Sequence, residues 1–574
     1  MKNTSKFSLL YPEVLEGDAS SYHWGSNAIV DLDLDQIALA ANMGPQYRET
    51  TKAMLLNLSA DARVIDYRQQ VLADFLAANG VAAGFEELLP VLAQLRESLM
   101  TPSTQSFTPG LQETLARLSE LNLYVFCVMK LQSMLTAAGA ELRAQGLCDL
   151  RDWLKEITAD ETFQSLEKNL PGLLAKFQEV PSITIGVNLD NELRPVEATL
   201  LSVNTKHFKG GSLLQQLIGA KSSDKPDQGI AQLHELPFVH VDGQGRTVTT
   251  GRRVDPMMVP LFRDLLKVLK TTINPISNAL KAYAKINANF LLAIEEEAAY
   301  YLGAVKLIHK MQAVGLPMCR PEILPMHERV CEMQGMYNLR LALDAQHETA
   351  DLRDAIVQNE ASFGTDGRIF ILTGPNQGGK TVYTQAVGIS QVLFQAGLYV
   401  PAETARISPV DGIYTHFAIE EKSIQGMGRL SEESQRLGEI FQSVTPYGLV
   451  LLNESLSSTS SGESLYLARD IVSALRLFSV RAIFATHLHE LAEGVDVINN
   501  EVRGDSLVIS LVAGVELPEG ETEMDVSNRL IPRTYKIKPG PPEGHSYAKG
   551  IAARYGVSFE QLVAQWDKRL KSWD

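Results

Sequence analysis

The fold is decided by residues 369–381, which read Ile369-Phe370-Ile371-Leu372-Thr373-Gly374-Pro375-Asn376-Gln377-Gly378-Gly379-Lys380-Thr381. The four apolar residues at the start predict a buried strand, and the segment from Val382 onward is typical of a helix. Between them, residues 374–381 satisfy G-x-x-x-x-G-K-[ST], the pattern of loops that bind nucleoside triphosphates. The sequence therefore predicts a strand, a phosphate-binding loop and a helix, in that order.

Each residue type in this loop has a physical role. Glycines let backbone N–H groups curl around phosphate oxygens, and the following helix adds the positive end of its dipole. Lys380 is predicted to reach the terminal phosphates, and the Thr381 hydroxyl to bind Mg²⁺. The residues predicted to hold ATP are Gly374, Pro375, Asn376, Gln377, Gly378, Gly379, Lys380 and Thr381.

Two further apolar runs, 449–452 and 482–485, each end in polar residues. Such runs, separated by helical segments, predict a parallel sheet with its ligands at the carboxyl edge. Glu454 is predicted to be the general base that activates the attacking water, and Asn453 to bind Mg²⁺ through water. His487 alone is more often structural, but in this series it is predicted to contact the γ-phosphate or its water.

A fourth element surrounds Ser431, in the stretch Gly-Arg-Leu-Ser-Glu-Glu-Ser at 428–434. Ser431 at a helix N-terminus would present its hydroxyl and backbone N–H groups to a phosphate. An N-cap serine followed by two acids that complement the helix dipole, Glu432 and Glu433, accounts for the same pattern. Both interpretations remain open.

The first half of the chain has a different texture. Spacings of three and four residues predict helices up to about Gln178, and β-branched residues predict strands over 180–204. Residues 201–285 hold twelve Lys and Arg against six Asp and Glu, which favours contact with a polyanion. Residues 276–312 predict one helix of roughly 55 Å, either a rod that transmits motion or a long core helix.

Composition limits the class of protein. A chain of 574 residues is expected to form several domains, and a net charge of -16 argues against a generally basic nucleic-acid coat, so any DNA-binding surface must be local. The four cysteines form no C-x-x-C pair, which indicates buried thiols in a reducing compartment. No signal segment and no run of about eighteen apolar residues is found, so we expect a cytoplasmic protein without membrane contact.

The four elements in this order, with Gly-Pro-Asn opening the loop, resemble the ATPase of the MutS family of DNA mismatch repair proteins. Gly-Leu-Tyr-Val-Pro-Ala at 397–402 and Gly-His-Ser-Tyr-Ala at 544–548 are similar to further family segments. The resemblance implies a multidomain fold. A mainly α core and lever region with a small β-containing insertion is expected at 1–325, with a clamp-like segment at about 201–270, followed by an α/β P-loop ATPase domain of the ABC type at 326–574.

The resemblance also implies ATP and Mg²⁺ as ligands, DNA and a repair protein as partners, and a homodimer in which Ser431 acts in trans on the other subunit's ATP. Three departures follow. The chain is expected to begin at the core, without the family's N-terminal mismatch-reading and connector domains. Asn453 stands where the family usually has Asp, which implies weaker Mg²⁺ binding and slower turnover. Glu432 and Glu433 stand where the family tends to have neutral residues.

We therefore expect an ATP-hydrolysing protein that clamps branched or deformed DNA during repair or recombination. One alternative is a nucleotide-gated adaptor for protein or RNA with feeble ATPase activity, which Asn453 and the acidic composition would allow. A second is a soluble ABC ATPase that serves a transporter, which the Gly-Pro-Asn loop disfavours.

Overall fold

The structure is a computed structural model that describes residues 7–12, 22–25, 27–78, 80–100, 109–178, 182–204, 238–241, 247–250, 274–346, 351–375, 377–418, 429–515, 533–542 and 559–570. The chain divides into two compact units, a first of residues 1–7 and 78–298 and a second of residues 8–77 and 299–574. The architecture is a mixture of helices and sheets in more than one domain, as expected. The boundary expected at residues 325 and 326 stays a prediction.

The described helices are α1 (Ala28–Asp31), α2 (Leu34–Ala40), α3 (Arg48–Leu56), α4 (Ala62–Ala77), α5 (Val81–Met100), α6 (Pro109–Ala138), α7 (Gln145–Ala159), α8 (Glu161–Gln178), α9 (Asn289–Ala313), α10 (Leu339–Ala345), α11 (Lys380–Gln395), α12 (Arg429–Ser443), α13 (Ser461–Phe478), α14 (His489–Glu493), α15 (Val495–Glu501) and α16 (Phe559–Leu570). The strands are β1 (His23–Trp24), β2 (Ser182–Leu189), β3 (Pro195–Asn204), β4 (Phe238–Val241), β5 (Thr247–Thr250), β6 (Glu322–Ile323), β7 (Cys331–Met336), β8 (Asn359–Phe363), β9 (Ile369–Thr373), β10 (Thr404–Ile407), β11 (Gly412–Phe417), β12 (Leu449–Asn453), β13 (Arg481–Ala485), β14 (Val508–Val515) and β15 (Arg533–Pro539).

The first unit is mainly helical. Helix α6 packs against α5 and α7, and its apolar residues at three- and four-residue spacing, including Leu121, Val128 and Leu135, are buried. Strands β2 and β3 form an antiparallel hairpin in the region where the sequence predicts strands. Strands β4 and β5 form a second hairpin, while the rest of the predicted clamp segment at 201–270, beyond the end of β3, lies outside the described residues.

One described helical stretch, Ala116–Glu141, is long and apolar enough by composition to cross a membrane. A core helix meets the same criterion, and this stretch includes the part of α6 that packs against its neighbours. Its length and composition are therefore weak evidence for a membrane span.

The predicted single helix over 276–312 is wrong. Residues 274–280 are helical and Lys281–Tyr283 form a 3-10 turn, but α9 begins only at Asn289. The Asn287 side chain accepts a hydrogen bond from the backbone N–H of Asn289 at 2.8 Å, a local bond that competes with continuation of the helix. Apolar periodicity runs through this break because it reports which side chains are buried and not whether the backbone is continuous.

The second unit contains a seven-stranded sheet in the order β1-β11-β12-β13-β9-β14-β15, parallel except for the β14–β15 pair. The three predicted strands are β9, β12 and β13. Ala485 pairs with both Leu372 and Asn453, so three neighbouring strands end at the same level. The polar residues that follow these strands therefore meet at one edge, as the sequence predicts.

Helices cover both faces of this sheet. Successive side chains of a strand alternate between the two faces, and those of β9, β12 and β13 are all buried. Ile371, Val450 and Phe484 lie in one buried core with apolar residues of α13. Helix α11 packs against β12 and β13, where Gly388 approaches Leu451 so closely that a Cβ at Gly388 would lie 2.7 Å from a Leu451 methyl group. The phosphate-loop helix is thus fixed against the strands that carry the other polar motifs.

Candidate nucleotide-binding and hydrolysis site

The loop 374–381 joins β9 to α11, as the sequence predicts. Gly374 and Gly379 have φ angles of 139° and 93°, a region that disfavours residues with a Cβ. A Cβ at Gly374 would also lie 2.7 Å from the Cβ of Ala513 on the neighbouring strand β14. The glycines at these two positions are therefore required by backbone geometry. Asn376, also predicted to contact ATP, lies outside the described residues.

Lys380 is the first residue of α11, and its side chain is only 4% exposed. Its Nζ donates hydrogen bonds to the carbonyl oxygens of Gly374 at 3.1 Å and Pro375 at 3.2 Å, which hold the ammonium group inside the loop. Burial lowers the pKa of Lys380 to about 8, and the nearby Glu454 carboxylate opposes this shift. A cation that has lost much of its hydration in this way is well placed to bind a phosphate oxygen.

Glu454 follows β12 and adopts a left-handed backbone conformation with φ 53°. Its backbone N–H donates to the carbonyl oxygen of Ala485 at 2.8 Å, which fixes the turn against the next strand. The carboxylate Oε1 lies 3.0 Å from His487 Nε2 and 4.0 Å from Lys380 Nζ. The hydrogen bond from His487 lowers the pKa of Glu454, and the charge of Lys380 adds to this effect. The carboxylate is therefore ionised near neutral pH, as a general base must be.

His487 follows β13, and its Nε2 lies 3.2 Å from Lys380 Nζ as well as 3.0 Å from the Glu454 carboxylate. The three side chains come from three different strand ends, which the parallel sheet brings to one place. His489, which we expected to be structural, begins the short helix α14. The cluster of Lys380, Glu454 and His487 is the polar centre of the candidate site.

Asn453 and Thr381 form a second polar contact beside this cluster. The Thr381 hydroxyl donates a hydrogen bond to Asn453 Oδ1 at 3.1 Å. These are the two residues predicted to hold Mg²⁺, and they offer a hydroxyl and an amide oxygen, which are hard oxygen donors of the kind that Mg²⁺ accepts. The described residues contain no group of three or more His, Cys, Asp or Glu side chains that could hold a metal ion. Two protein oxygens fit an ion that takes its other ligands from water and nucleotide phosphates.

Ser431 lies exposed within α12, two residues after the first residue of that helix. This position excludes the interpretation of Ser431 as the N-cap. Glu433, in the same turn, accepts a hydrogen bond from the Ser458 hydroxyl at 3.0 Å, so one of the two acids contacts the loop after Glu454. Whether Ser431 contacts a nucleotide held by another subunit stays a prediction.

A cavity of about 490 Å³ opens beside the loop, and its lining includes Gly379, Lys380, Thr381 and Glu454. This volume lies in the range of small-molecule sites. Other lining residues were missed by sequence reasoning, and they come from distant parts of the chain: Met336, Tyr337, Asn338, Leu341, Val357, Asn359 and Tyr535.

One polar contact of the loop was also missed. Arg533 donates a hydrogen bond to Gln377 Oε1 at 2.9 Å, which ties strand β15 to the loop. No motif marks Arg533, because its partner is 156 positions away in the sequence. Only the pairing of β15 with β14, which itself pairs with β9, brings the two side chains together.

Comparison with known proteins places this site in a family. Residues 60–314 match the family model described as the MutS2 N-terminal domain, and residues 370–531 match the model described as MutS domain V. The chain belongs to the MutS family. The second match begins in β9 and contains the whole loop 374–381, Asn453, Glu454 and His487, so the candidate site falls within a MutS domain.

Individual relatives agree with this assignment. The DNA mismatch repair protein MutS of Streptococcus pneumoniae is 26% identical over 298 residues, which are 50% of this chain and 32% of that protein. A Streptococcus pneumoniae relative named DNA mismatch repair protein HexA shows the same identity and coverage. The Endonuclease MutS2 of Thermomicrobium roseum is 27% identical over 470 residues, which are 76% of this chain and 56% of that protein. The matches thus span from about a third to little more than half of the length of these relatives.

Proposed function

We propose that this protein binds ATP with Mg²⁺ at the loop 374–381, hydrolyses it, and couples this cycle to the binding of DNA. The observation that carries the proposal is the convergence of Lys380, Glu454 and His487 at one edge of the parallel sheet, with distances of 3.0–4.0 Å between their polar atoms. A phosphate-binding cation, an ionised carboxylate and a histidine are the groups that phosphoryl transfer to water requires. Membership of the MutS family supports the same activity.

In this site the residues have separate tasks. The loop backbone and Lys380 bind the phosphates, and the Lys380 ammonium stabilises charge that develops on them during transfer. The Glu454 carboxylate orients the attacking water and accepts its proton. His487 Nε2 carries one proton, which holds the Glu454 carboxylate in place when it is donated to Oε1 and contacts the γ-phosphate or the water when it is donated there instead.

Mg²⁺ would be held by Thr381 and, through water, by Asn453, and it would neutralise phosphate charge. Asn453 brings an oxygen without a negative charge, whereas a carboxylate at that position would attract the ion more strongly. The protein therefore depends more on the nucleotide phosphates themselves to retain the ion.

Asn453→Asp is expected to lower the Mg²⁺ concentration that gives half-maximal ATPase activity by about tenfold, because groups that act on a bound ion through its ligands shift its affinity by this order. The measurement is the ATPase rate as a function of free Mg²⁺ at saturating ATP. Ca²⁺ titrations in parallel test whether the gain is a general effect of added charge. An unchanged Mg²⁺ midpoint together with an unchanged maximal rate would remove the idea.

DNA is the proposed partner, and the working unit is a homodimer in which Ser431 contributes to the nucleotide site of the other subunit. Two of the relatives are named DNA mismatch repair proteins, which supports nucleic acid as the partner. The excess of basic residues in 201–285 provides a local positive charge in an acidic chain, so binding is directed mainly to phosphates. We propose a preference for branched or deformed DNA, a role in repair or recombination with a repair protein, and a cytoplasmic location.

The test is the ATPase rate with no nucleic acid, with linear duplex, with a four-way junction and with structured RNA, each at several salt concentrations. We expect the junction to change the apparent affinity for ATP, and with it the rate at sub-saturating ATP, by at least about threefold, because coupling between two binding sites is reciprocal and commonly reaches this size. We expect the effect to weaken steeply with salt. An ATPase rate that changes only with RNA, or that changes with none of the nucleic acids, would favour the alternative of a nucleotide-gated adaptor. Asn453 and the net charge of -16 would suit that alternative.

A further inference from the structure

The turn that carries Glu454 has an unusual backbone. Glu454 and Leu456 have φ angles of 53° and 67°, so two non-glycine residues in a span of three occupy the left-handed region. L-residues adopt this region at an energetic penalty, and they keep it only where surrounding contacts impose it. Here the turn directs the Glu454 carboxylate toward His487 and Lys380. Contacts that impose the turn therefore determine where the carboxylate lies.

His416 provides such a contact from the neighbouring strand β11. Its side chain is 0% exposed, and its Nδ1 lies 2.8 Å from the hydroxyl oxygen of Ser455, the central residue of the turn. The same hydroxyl donates a hydrogen bond to the backbone carbonyl oxygen of His416 at 3.2 Å. The ring and the carbonyl of one residue thus hold Ser455 from two sides, and Ser455 is itself only 3% exposed.

These two contacts assign the tautomer of the imidazole. A serine hydroxyl has one proton, and when it is donated to the His416 carbonyl, Nδ1 must carry the proton for the 2.8 Å contact. Nε2 is then a bare acceptor, and it is buried without a hydrogen-bond partner among the described residues. Burial lowers the pKa of His416 to about 4, and the positive charge of Arg436 adds to the shift. The ring is therefore neutral near pH 7.

Other contacts fix the two ends of the turn. The Glu454 N–H is bound to Ala485, and the Ser464 hydroxyl donates to the carbonyl oxygen of Leu456 at 2.7 Å. The Leu456 side chain is buried in the core beside the sheet. His416 acts between these ends, where rotation of the peptide units around Ser455 would swing the carboxylate away from His487.

We propose that His416 is a positioning residue for Glu454, acting through its two hydrogen bonds to Ser455. The inference rests on the proposed ATP hydrolysis and deepens it, because it names a residue that does not line the nucleotide cavity. A misplacement of about 1 Å at a reacting group lowers rates by up to a hundredfold. Since the ends of the turn stay fixed, we expect a loss of about tenfold when the His416 contact is removed.

The experiment compares three variants with the wild type in the full-length protein. His416→Phe removes the ring donor, Ser455→Ala removes the hydroxyl, and His416→Asn keeps an N–H donor close to the position of Nδ1. We expect kcat to fall about tenfold in the first two variants while KM and the Kd for ATP change less than about twofold. We expect His416→Asn to restore most of kcat. If the Phe side chain does not fit the buried space of His416 and that variant fails to fold, Ser455→Ala still tests the same contact.

Thr415→Val is the matched control. Thr415 is the neighbouring residue of β11, 3% exposed, and its hydroxyl donates to Asp31 Oδ2 at 2.6 Å, away from the turn. Thr415→Val loses one part-buried hydrogen bond, so we expect a lower melting temperature with unchanged kcat. A purely structural role of His416 would give this same pattern in His416→Phe and Ser455→Ala.

A second comparison uses Glu454→Gln as background. The double variant that combines His416→Phe with Glu454→Gln is compared with Glu454→Gln alone. If His416 acts through Glu454, the second substitution lowers the residual single-turnover rate by less than about twofold, because effects of residues that act as one unit are not additive. A full tenfold additional loss overturns the inference. If His416→Phe and Ser455→Ala fold and hydrolyse ATP as fast as the wild type, the inference is overturned and the proposed function stays intact. Wild-type protein that binds ATP without hydrolysing it overturns both.

Discussion

Lys380→Met is expected to weaken ATP binding by on the order of 10²-fold and to lower hydrolysis at fixed ATP by on the order of 10³-fold, because it removes the buried cation that we propose binds the phosphates. Met has a similar length and fills the same space, so the loop keeps its packing. Burial already disfavours the charged form of Lys380, as its lowered pKa indicates. We therefore expect the melting temperature without nucleotide to stay the same or to rise.

Isothermal titration with ATP and a steady-state ATPase assay measure these effects. Lys130→Met is the matched control, since the Lys130 ammonium lies in a solvent-exposed pair with Glu87 at 2.8 Å. That variant should bind and hydrolyse ATP as the wild type does. A Lys380→Met protein that is folded and binds ATP with wild-type affinity would place the nucleotide elsewhere.

Glu454→Gln is expected to reduce hydrolysis by about 10²- to 10⁴-fold, because an amide cannot accept the proton of the attacking water. ATP binding should be retained, and we expect it to tighten several-fold, since a negative charge beside the γ-phosphate is removed. The variant should therefore accumulate in the ATP-bound state. Rapid-quench measurement of a single turnover, together with the Kd for ATP, separates the two effects.

Glu490→Gln controls for the loss of a nearby carboxylate. Glu490 is exposed on α14, close to His489 and outside the cavity. Its replacement should leave the single-turnover rate within about twofold of the wild type, as for most surface changes. Hydrolysis that persists in Glu454→Gln at the wild-type rate would assign the role of base to another group.

The sequence was informative where function and local structure share one short pattern. The loop 374–381 and the apolar runs before Asn453 and His487 each combine a strand with the polar residue that follows it, so both the sheet and the cluster at its edge were predictable. The parallel order then brings Lys380, Glu454 and His487 together without further information.

Elsewhere the relevant interactions are long-range or depend on single polar atoms. A 3-10 turn at Lys281–Tyr283 and a local hydrogen bond between Asn287 and Asn289 lie within a stretch that apolar spacing predicts to be one continuous helix. Tyr535 reaches the cavity through the pairing of distant strands, which no local pattern reveals. The contact of His416 with Ser455 joins residues 39 positions apart, neither of which belongs to a recognised motif.

The second unit is assembled from two separated stretches of chain, residues 8–77 and 299–574. Strand β1, in the stretch 8–77, forms the edge of the large sheet beside β11. Asp31, in the same stretch, accepts a hydrogen bond from Thr415 of β11. A gene fragment that begins at residue 326 would encode every residue of the candidate site yet leave this edge of the sheet unpaired. Recombination that transplants the nucleotide site into another protein must therefore carry both stretches, which makes the site difficult to inherit as a single exchangeable module.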